Sequence, residues 1–199
     1  MELYLASSSP ARADLLSKLN VPFHILKHSV NEEELMGKYS SSQQMVQELA
    51  KAKALSGSSQ LSPEARAEAI IIGCDTVNYR SGKIMGKPKN DEEAQKMLEY
   101  LLTSADTAYT GICVLEPGMD PSVQAFCAEY RFDNLTQEDI AQYVRSKEPL
   151  KHAGGYSPMT KFALTFCTTM KGSFQCIYSL PMELLVPVLR RNELLPSLE

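Results

Sequence analysis

The segment Ser7-Ser8-Ser9-Pro10-Ala11-Arg12 follows the apolar run Leu3-Tyr4-Leu5-Ala6. Hydroxyls, a proline and an arginine in that order describe a strand that stops and restarts as a helix. Ser9 is a favourable N-cap, and Pro10 fits the first helical position, where a missing N–H costs nothing. The free N–H groups and partial positive charge of such a helix end receive anions. Arg12 stands one turn in, with a planar fork suited to phosphate oxygens. A phosphorylated small molecule is the first substrate to consider.

Four more charged residues bear on that chemistry. Asp75 closes the apolar run Ala69-Ile70-Ile71-Ile72-Gly73-Cys74, a position where reactive groups of α/β folds gather. An aspartate capping the next turn is the competing reading. Lys53 lies in an Ala-rich helical stretch and, taken alone, reads as a solvated lysine. Lys87 is held out of helical geometry by Pro88, which suits a loop phosphate ligand or an ordinary turn. Glu32, in Asn31-Glu32-Glu33-Glu34, reads as part of a hydrated loop or as a magnesium-binding carboxylate. His24 and His28 sit in a strand-like context that spoils a helical metal pair, so both read as core or surface histidines. Cys74 reads as a small buried thiol. No G-x-x-x-x-G-K-[ST] motif occurs, so the chain is not a P-loop protein.

The elements that must position these residues follow from pattern. After the first strand and helix, Val21 to Leu26 reads as a second strand. Residues 42 to 57 read as a helix carrying Met45, Val46, Leu49, Ala50, Ala52 and Ala54 at mixed three- and four-residue spacing. Ala69 to Cys74 predicts a strand covered on both faces and ending at Asp75-Thr76. Arg80-Ser81-Gly82-Lys83 is a turn signal, and Asn90 caps the next helix. Thr107–Leu115 and Val123–Phe132 read as strands flanking Pro117-Gly118, and Thr136 caps a helix through Val144. Residues 162 to 170 and 174 to 178 read as further strands, and Met182 to Arg190 as a helix. Helices and strands alternate throughout, which predicts an α/β mixed sheet with flanking helices.

Composition narrows the partners. A chain of 199 residues holds one sizeable core or two small lobes. A net charge of −4 opposes a nucleic-acid-binding surface, which is normally basic. No apolar run is long enough to span a membrane, and no secretory leader pattern is visible. Five scattered cysteines without a C-x-x-C pair read as reduced thiols of a cytoplasmic protein.

Taken in order, the pieces resemble the Maf family of nucleoside triphosphate pyrophosphatases. The matching segments are Leu5-Ala6-Ser7-Ser8-Ser9-Pro10-Ala11-Arg12, Asn31-Glu32, Leu49-Ala50-Lys51-Ala52-Lys53-Ala54 and Ile72-Gly73-Cys74-Asp75-Thr76-Val77. Further along come Gly86-Lys87-Pro88, Tyr109-Thr110-Gly111, Glu148-Pro149-Leu150, Ala153-Gly154-Gly155-Tyr156 and Ser179-Leu180-Pro181. The resemblance implies a single Maf/ITPase-like domain over residues 1–199, with two lobes around a central cleft, usually a homodimer. It implies cleavage of a triphosphate between its α and β phosphates, with Mg²⁺ or Mn²⁺ as cofactor. Asp75 aligns with the family's proton acceptor, and Ser7, Arg12, Glu32, Lys53 and Lys87 with its polar site. Glu32 would be the metal ligand, while Asp75 would act as base or help to hold the metal.

Three positions bear on base choice. The branch that favours dTTP and UTP usually has arginine where Ala11 stands, threonine at Thr76 and glutamine where Met159 stands. A second branch, associated with 7-methyl-GTP, has tryptophan, glutamine and glutamate there. This chain keeps Thr76 alone, and Thr160 replaces a customary glycine. The alternative function is a catalytically weak, nucleotide-binding regulator linked to cell division.

Overall fold

The computed structural model describes residues 1–36 and 38–195. The elements run β1 (Glu2–Ala6), α1 (Pro10–Lys18), β2 (His24–Ile25), α2 (Glu32–Met36), α3 (Ser42–Ser58) and α4 (Pro63–Arg66). Then come β3 (Ala69–Arg80), β4 (Lys83–Met85), α5 (Asp91–Glu99), β5 (Asp106–Leu115) and β6 (Ser122–Phe132). The last are α6 (Gln137–Arg145), α7 (Lys161–Phe166), β7 (Cys167–Gly172) and α8 (Met182–Arg191). The strands form a mixed sheet of order β2-β1-β3-β5-β6-β7, with β4 paired to β3. β1 is parallel to both β2 and β3, whereas β4 is antiparallel to β3 and β7 to β6. No described helix is long and apolar enough to cross a membrane.

The chain divides into two compact units. The first comprises residues 1–76, 110–126 and 178–199; the second comprises 77–109 and 127–177.

In the first unit, strand alternation decides where side chains go. Ile70, Ile72 and Cys74 of β3 join Leu3, Leu5, Leu16, Leu185 and Leu189 in one buried cluster, with α1 and α8 on that face. Ala69 and Ile71 join Tyr4, Ala6, Ala50 and Ala54 in a second cluster on the α3 face. The same period of two sends Gly73 and Asp75 towards α3. Two glycines let that helix come close. A Cβ on Gly73 would sit 2.2 Å from the Ala50 carbonyl oxygen, and one on Gly111 would sit 2.0 Å from that of Val46. A side chain at either position would therefore force the backbone of α3 to shift.

The second unit is organised by a buried charge network. Arg80 donates to both carboxylate oxygens of Asp106 at 2.8 and 2.7 Å, and to the carbonyls of Met97 and Gly154. The Tyr156 hydroxyl donates to Asp106 at 2.9 Å. A buried ion pair is tolerated when its remaining hydrogen-bonding groups are met, as here.

Several sequence expectations change. Residues 162 to 170 are not one strand. The Thr160 hydroxyl accepts from the Ala163 N–H and starts α7, so only the later part becomes β7. Residues 174 to 178 form a 3₁₀ turn, because the Cys176 N–H closes onto the Ser173 carbonyl. Asn31 to Glu34 is no loop. The Asn31 side chain accepts from the Glu34 N–H, and Glu32 opens α2. β2 keeps only His24 and Ile25 of the expected strand. Ser9 occupies the cap position of α1 but makes no side-chain cap bond; its own N–H donates to the Ser7 hydroxyl. β3 does not end at Asp75-Thr76 but continues to Arg80, where the Ser81-Gly82 turn leads into β4.

Candidate active site

Asp75 reaches its place through strand alternation, and Lys53 through helix geometry. Lys53 follows Ala50 by three residues on α3, so it shares the face that packs on the sheet. The Lys53 ammonium donates to Asp75 Oδ1 at 2.6 Å and pairs with Glu32 Oε1 at 2.8 Å. Lys53 and Asp75 are each 5% exposed. Neither the solvated lysine nor the turn-capping aspartate survives this geometry. Glu32 is the outer member, with its side chain 45% exposed.

A second set surrounds Arg12, which is also buried. Its guanidinium donates to the Ser7 hydroxyl at 2.7 Å, the Ser179 carbonyl at 2.8 Å and the Thr76 hydroxyl at 3.3 Å. The Thr76 and Thr110 hydroxyls are 3.0 Å apart. Thr76 follows Asp75 directly on β3, so the two sets adjoin. Ala11, on α1, is half-buried.

Two further residues adjoin these sets. Thr110, from a segment that carries the resemblance, meets Thr76 because β5 lies beside β3. His28 reads as a core or surface histidine, and the structure holds it half-buried. Its Nδ1 is buried without a hydrogen-bond partner among the described residues. Burial first, and then the Lys53 ammonium, push the His28 pKa below the ordinary histidine range. Arg12 adds to that effect, while Glu32 and Asp75 oppose it. One imidazole therefore feels members of both sets. No local motif announces this, because His28 lies in the segment between β2 and α2, which has no regular secondary structure.

Lys87 and Met159 belong to the second unit and are exposed. Lys87 follows Gly86, whose carbonyl accepts from the Gly154 N–H at 2.9 Å. Met159 and Thr160 line a cavity of about 720 Å³ walled by Tyr143, Phe162 and Phe166. The first unit has its own cavity of about 540 Å³, near Leu55 and Met119; it shares no residue with the Lys53 and Arg12 sets.

Among the described residues no group of three or more His, Cys, Asp or Glu side chains stands ready to hold a metal ion. Glu32 and Asp75 are hard oxygen donors of the type magnesium takes. Lys53 now lies between them. A cation at this place would depend on water and ligand oxygens for the rest of its shell.

An α/β protein with an acid held against a buried lysine, beside an arginine one turn into a helix, is equipped to handle phosphate esters and anhydrides. Residues 2–192 match the family of Maf-like proteins. The chain belongs to the Maf family. It is 34% identical over 194 residues to a protein of Bacillus cereus strain B4264 named dTTP/UTP pyrophosphatase, covering 97% of this chain and 96% of that one. A protein of the same name from Bacillus cereus strain AH820 is 36% identical over 191 residues, covering 96% and 95%. Among solved structures, the Ham1 protein of Staphylococcus aureus is similar with a TM-score of 0.44 and 16% identity, over 96% of this chain and 100% of that one.

Proposed function

We propose that the protein hydrolyses a nucleoside triphosphate to a nucleoside monophosphate and pyrophosphate. The carrying observation is Lys53 held between Asp75 and Glu32, in a chain whose relatives bear that activity in their names. Phosphoryl transfer asks a protein mainly to neutralise charge and align the attacking water. Ser7, Arg12 and the start of α1 bind phosphate oxygens. Lys53 offsets charge near the scissile bridge. Asp75 accepts a proton from the attacking water as its oxygen bonds to phosphorus and the bridging P–O bond breaks. Pyrophosphate then leaves.

A divalent cation, Mg²⁺ or Mn²⁺, fits Glu32 and Asp75 as carboxylate donors. When bound it neutralises phosphate oxygens. Lys87 is proposed as a further phosphate ligand. The pyrimidine triphosphates dTTP and UTP are proposed as first substrates because the relatives carry those names. Ala11 and Met159 supply neither a guanidinium nor an amide, so discrimination among bases rests on Thr76 and on packing. We also propose a cytoplasmic homodimer of one Maf-like domain per chain.

The test is a pyrophosphate-release screen over canonical and methylated triphosphates, with Mg²⁺, with Mn²⁺ and with EDTA. Metal-dependent release from at least one triphosphate, lost in Asp75→Asn, is expected. Tight nucleotide binding with no hydrolysis across the panel would favour the regulator. Light scattering checks the dimer.

A further inference from the structure

The surface lysines Lys18, Lys38, Lys96, Lys147 and Lys151 each hold an acidic side chain. Lys87 does not. Its side chain is exposed and makes no ion pair or hydrogen bond among the described residues. Its backbone, by contrast, is fixed on both sides. Before it, Met85 pairs with Asn78 where β4 meets β3, and the Gly86 carbonyl accepts from the Gly154 N–H at 2.9 Å. After it, Pro88 is buried, the Lys89 N–H donates to the Glu93 carboxylate at 2.7 Å, and Asn90 caps α5. A free ammonium on a clamped backbone suits a ligand contact, because less freedom is lost when the contact forms.

One buried guanidinium reaches both clamps. Arg80 Nη2 donates to the Gly154 carbonyl at 2.9 Å, so the residue that holds Gly86 is itself held from behind. Arg80 Nη1 donates to the Met97 carbonyl at 2.7 Å, on α5, the helix that follows Lys87. Asp106 takes the other edge of the fork and fixes its plane. The Asn78 amide donates to the neighbouring Ala153 carbonyl at 2.8 Å. Gly154 has a φ of +72°, and a Cβ there would lie 2.9 Å from both Arg80 Nη2 and Asn78 Nδ2. Glycine thus brings this loop within reach of both donors. Apolar groups often replace a buried ion pair with no loss of stability, so stability alone does not account for this one.

We infer that Arg80 is a positioning residue for Lys87: through Gly154 and Gly86 it sets the backbone from which the Lys87 ammonium reaches a substrate phosphate. This rests on the pyrophosphatase reading above, in which Lys87 is a phosphate ligand. Arg80 is buried and acts only through the loop it holds.

Arg80→Lys keeps a positive charge beside Asp106 but loses the fork that serves Asp106, Gly154 and Met97 together. It is expected to raise KM for a triphosphate about tenfold with kcat within about threefold, the scale of one charge-assisted hydrogen bond made to bound substrate. Coupling separates positioning from a general structural role. In a Lys87→Ala background the same substitution should change KM by less than about twofold. A folded Arg80→Lys protein with wild-type KM would overturn the proposal, and so would an equal rise in KM with and without Lys87.

A second readout leaves Arg80 intact. By reciprocity, a phosphate that grips Lys87 tightens the bond between Gly86 and Gly154. Saturating inorganic pyrophosphate, judged by calorimetry, should slow deuterium exchange at the Gly154 amide about tenfold in the wild type and by less than about twofold in Lys87→Ala. No slowing in the wild type, or the same slowing in both proteins, would overturn the proposal even where Arg80→Lys fails to fold. Failure of the enzymatic reading looks different: the wild type then releases no pyrophosphate from any triphosphate, while exchange at Gly154 still decides whether Lys87 and the relay are coupled.

Discussion

The Lys53 ammonium stands 2.6 Å from Asp75, twenty-two residues along the chain, and both side chains are buried. One partner comes from the inner face of α3 and the other from β3, so neither element makes the site alone. Asp75→Asn keeps the shape of the side chain and leaves Lys53 paired with Glu32. Pyrophosphate release is expected to fall by roughly 10²–10⁴-fold, the usual loss for a placed base. Tm should move by only a few degrees. Stopped assays on variant and wild type, with thermal melts of both, check this. Equal turnover would remove Asp75 from the mechanism.

Gly73 offers a way to disturb that pair without touching it. Adding a methyl group there meets the Ala50 carbonyl oxygen at 2.2 Å and the Ala54 amide nitrogen at 2.6 Å. α3 must move outwards, taking Lys53 with it. Gly73→Ala is expected to cost about 1–3 kcal/mol of stability by overpacking. Activity should fall in the protein that remains folded. A chemical denaturation curve beside a kcat measurement checks both parts.

Ser179 accepts from Arg12 through its carbonyl while holding a φ of +56°. That conformation is strained for a residue with a Cβ. Ser179→Gly should therefore stabilise the fold by up to ~1 kcal/mol. The Arg12 bond uses only backbone oxygen, so KM should hold. Thermal melting and substrate titration test the two statements.

Burial sets the chemistry of the thiols. It pushes Cys74 up to about 11 and Cys113 up to about 12, so both stay protonated at neutral pH. Cys127 is exposed. Iodoacetamide at pH 8 should modify Cys127 well before Cys74 or Cys113, as peptide mass mapping would show. The linkage has a definite sign. An unfolded thiol loses its proton near 8.5 while the folded one keeps it, so stability present below that pH drains away as pH rises towards 11. Replacing Cys74 with alanine should flatten that alkaline decline.

Arg12 after a Ser-Pro helix start and Asp75 at the end of an apolar run are candidates on local pattern alone, and the structure buries both against polar partners. Lys53 was legible only through the resemblance, because helix periodicity alone does not say which face of α3 meets β3. The helix α2 was not legible, because Asn31 caps it in what reads as a polar loop. The strand expected over 162 to 170 failed for a related reason. Phe162, Ala163 and Leu164 suit either structure, and the Thr160 cap decides for helix. The continuation of β3 past Asp75 was hidden because polar Asn78 and Arg80 interrupt the apolar pattern while pairing with β4.

Arg12 also ties the start of the chain to the residues just before α8, since its Nε holds the Ser179 carbonyl 167 positions away. A ligand that grips the guanidinium should thus slow amide hydrogen exchange at the beginning of the last helix. Occupancy of the proposed phosphate site at Arg12 could then be followed at a distance by deuterium uptake, without a chromophore or a turnover assay.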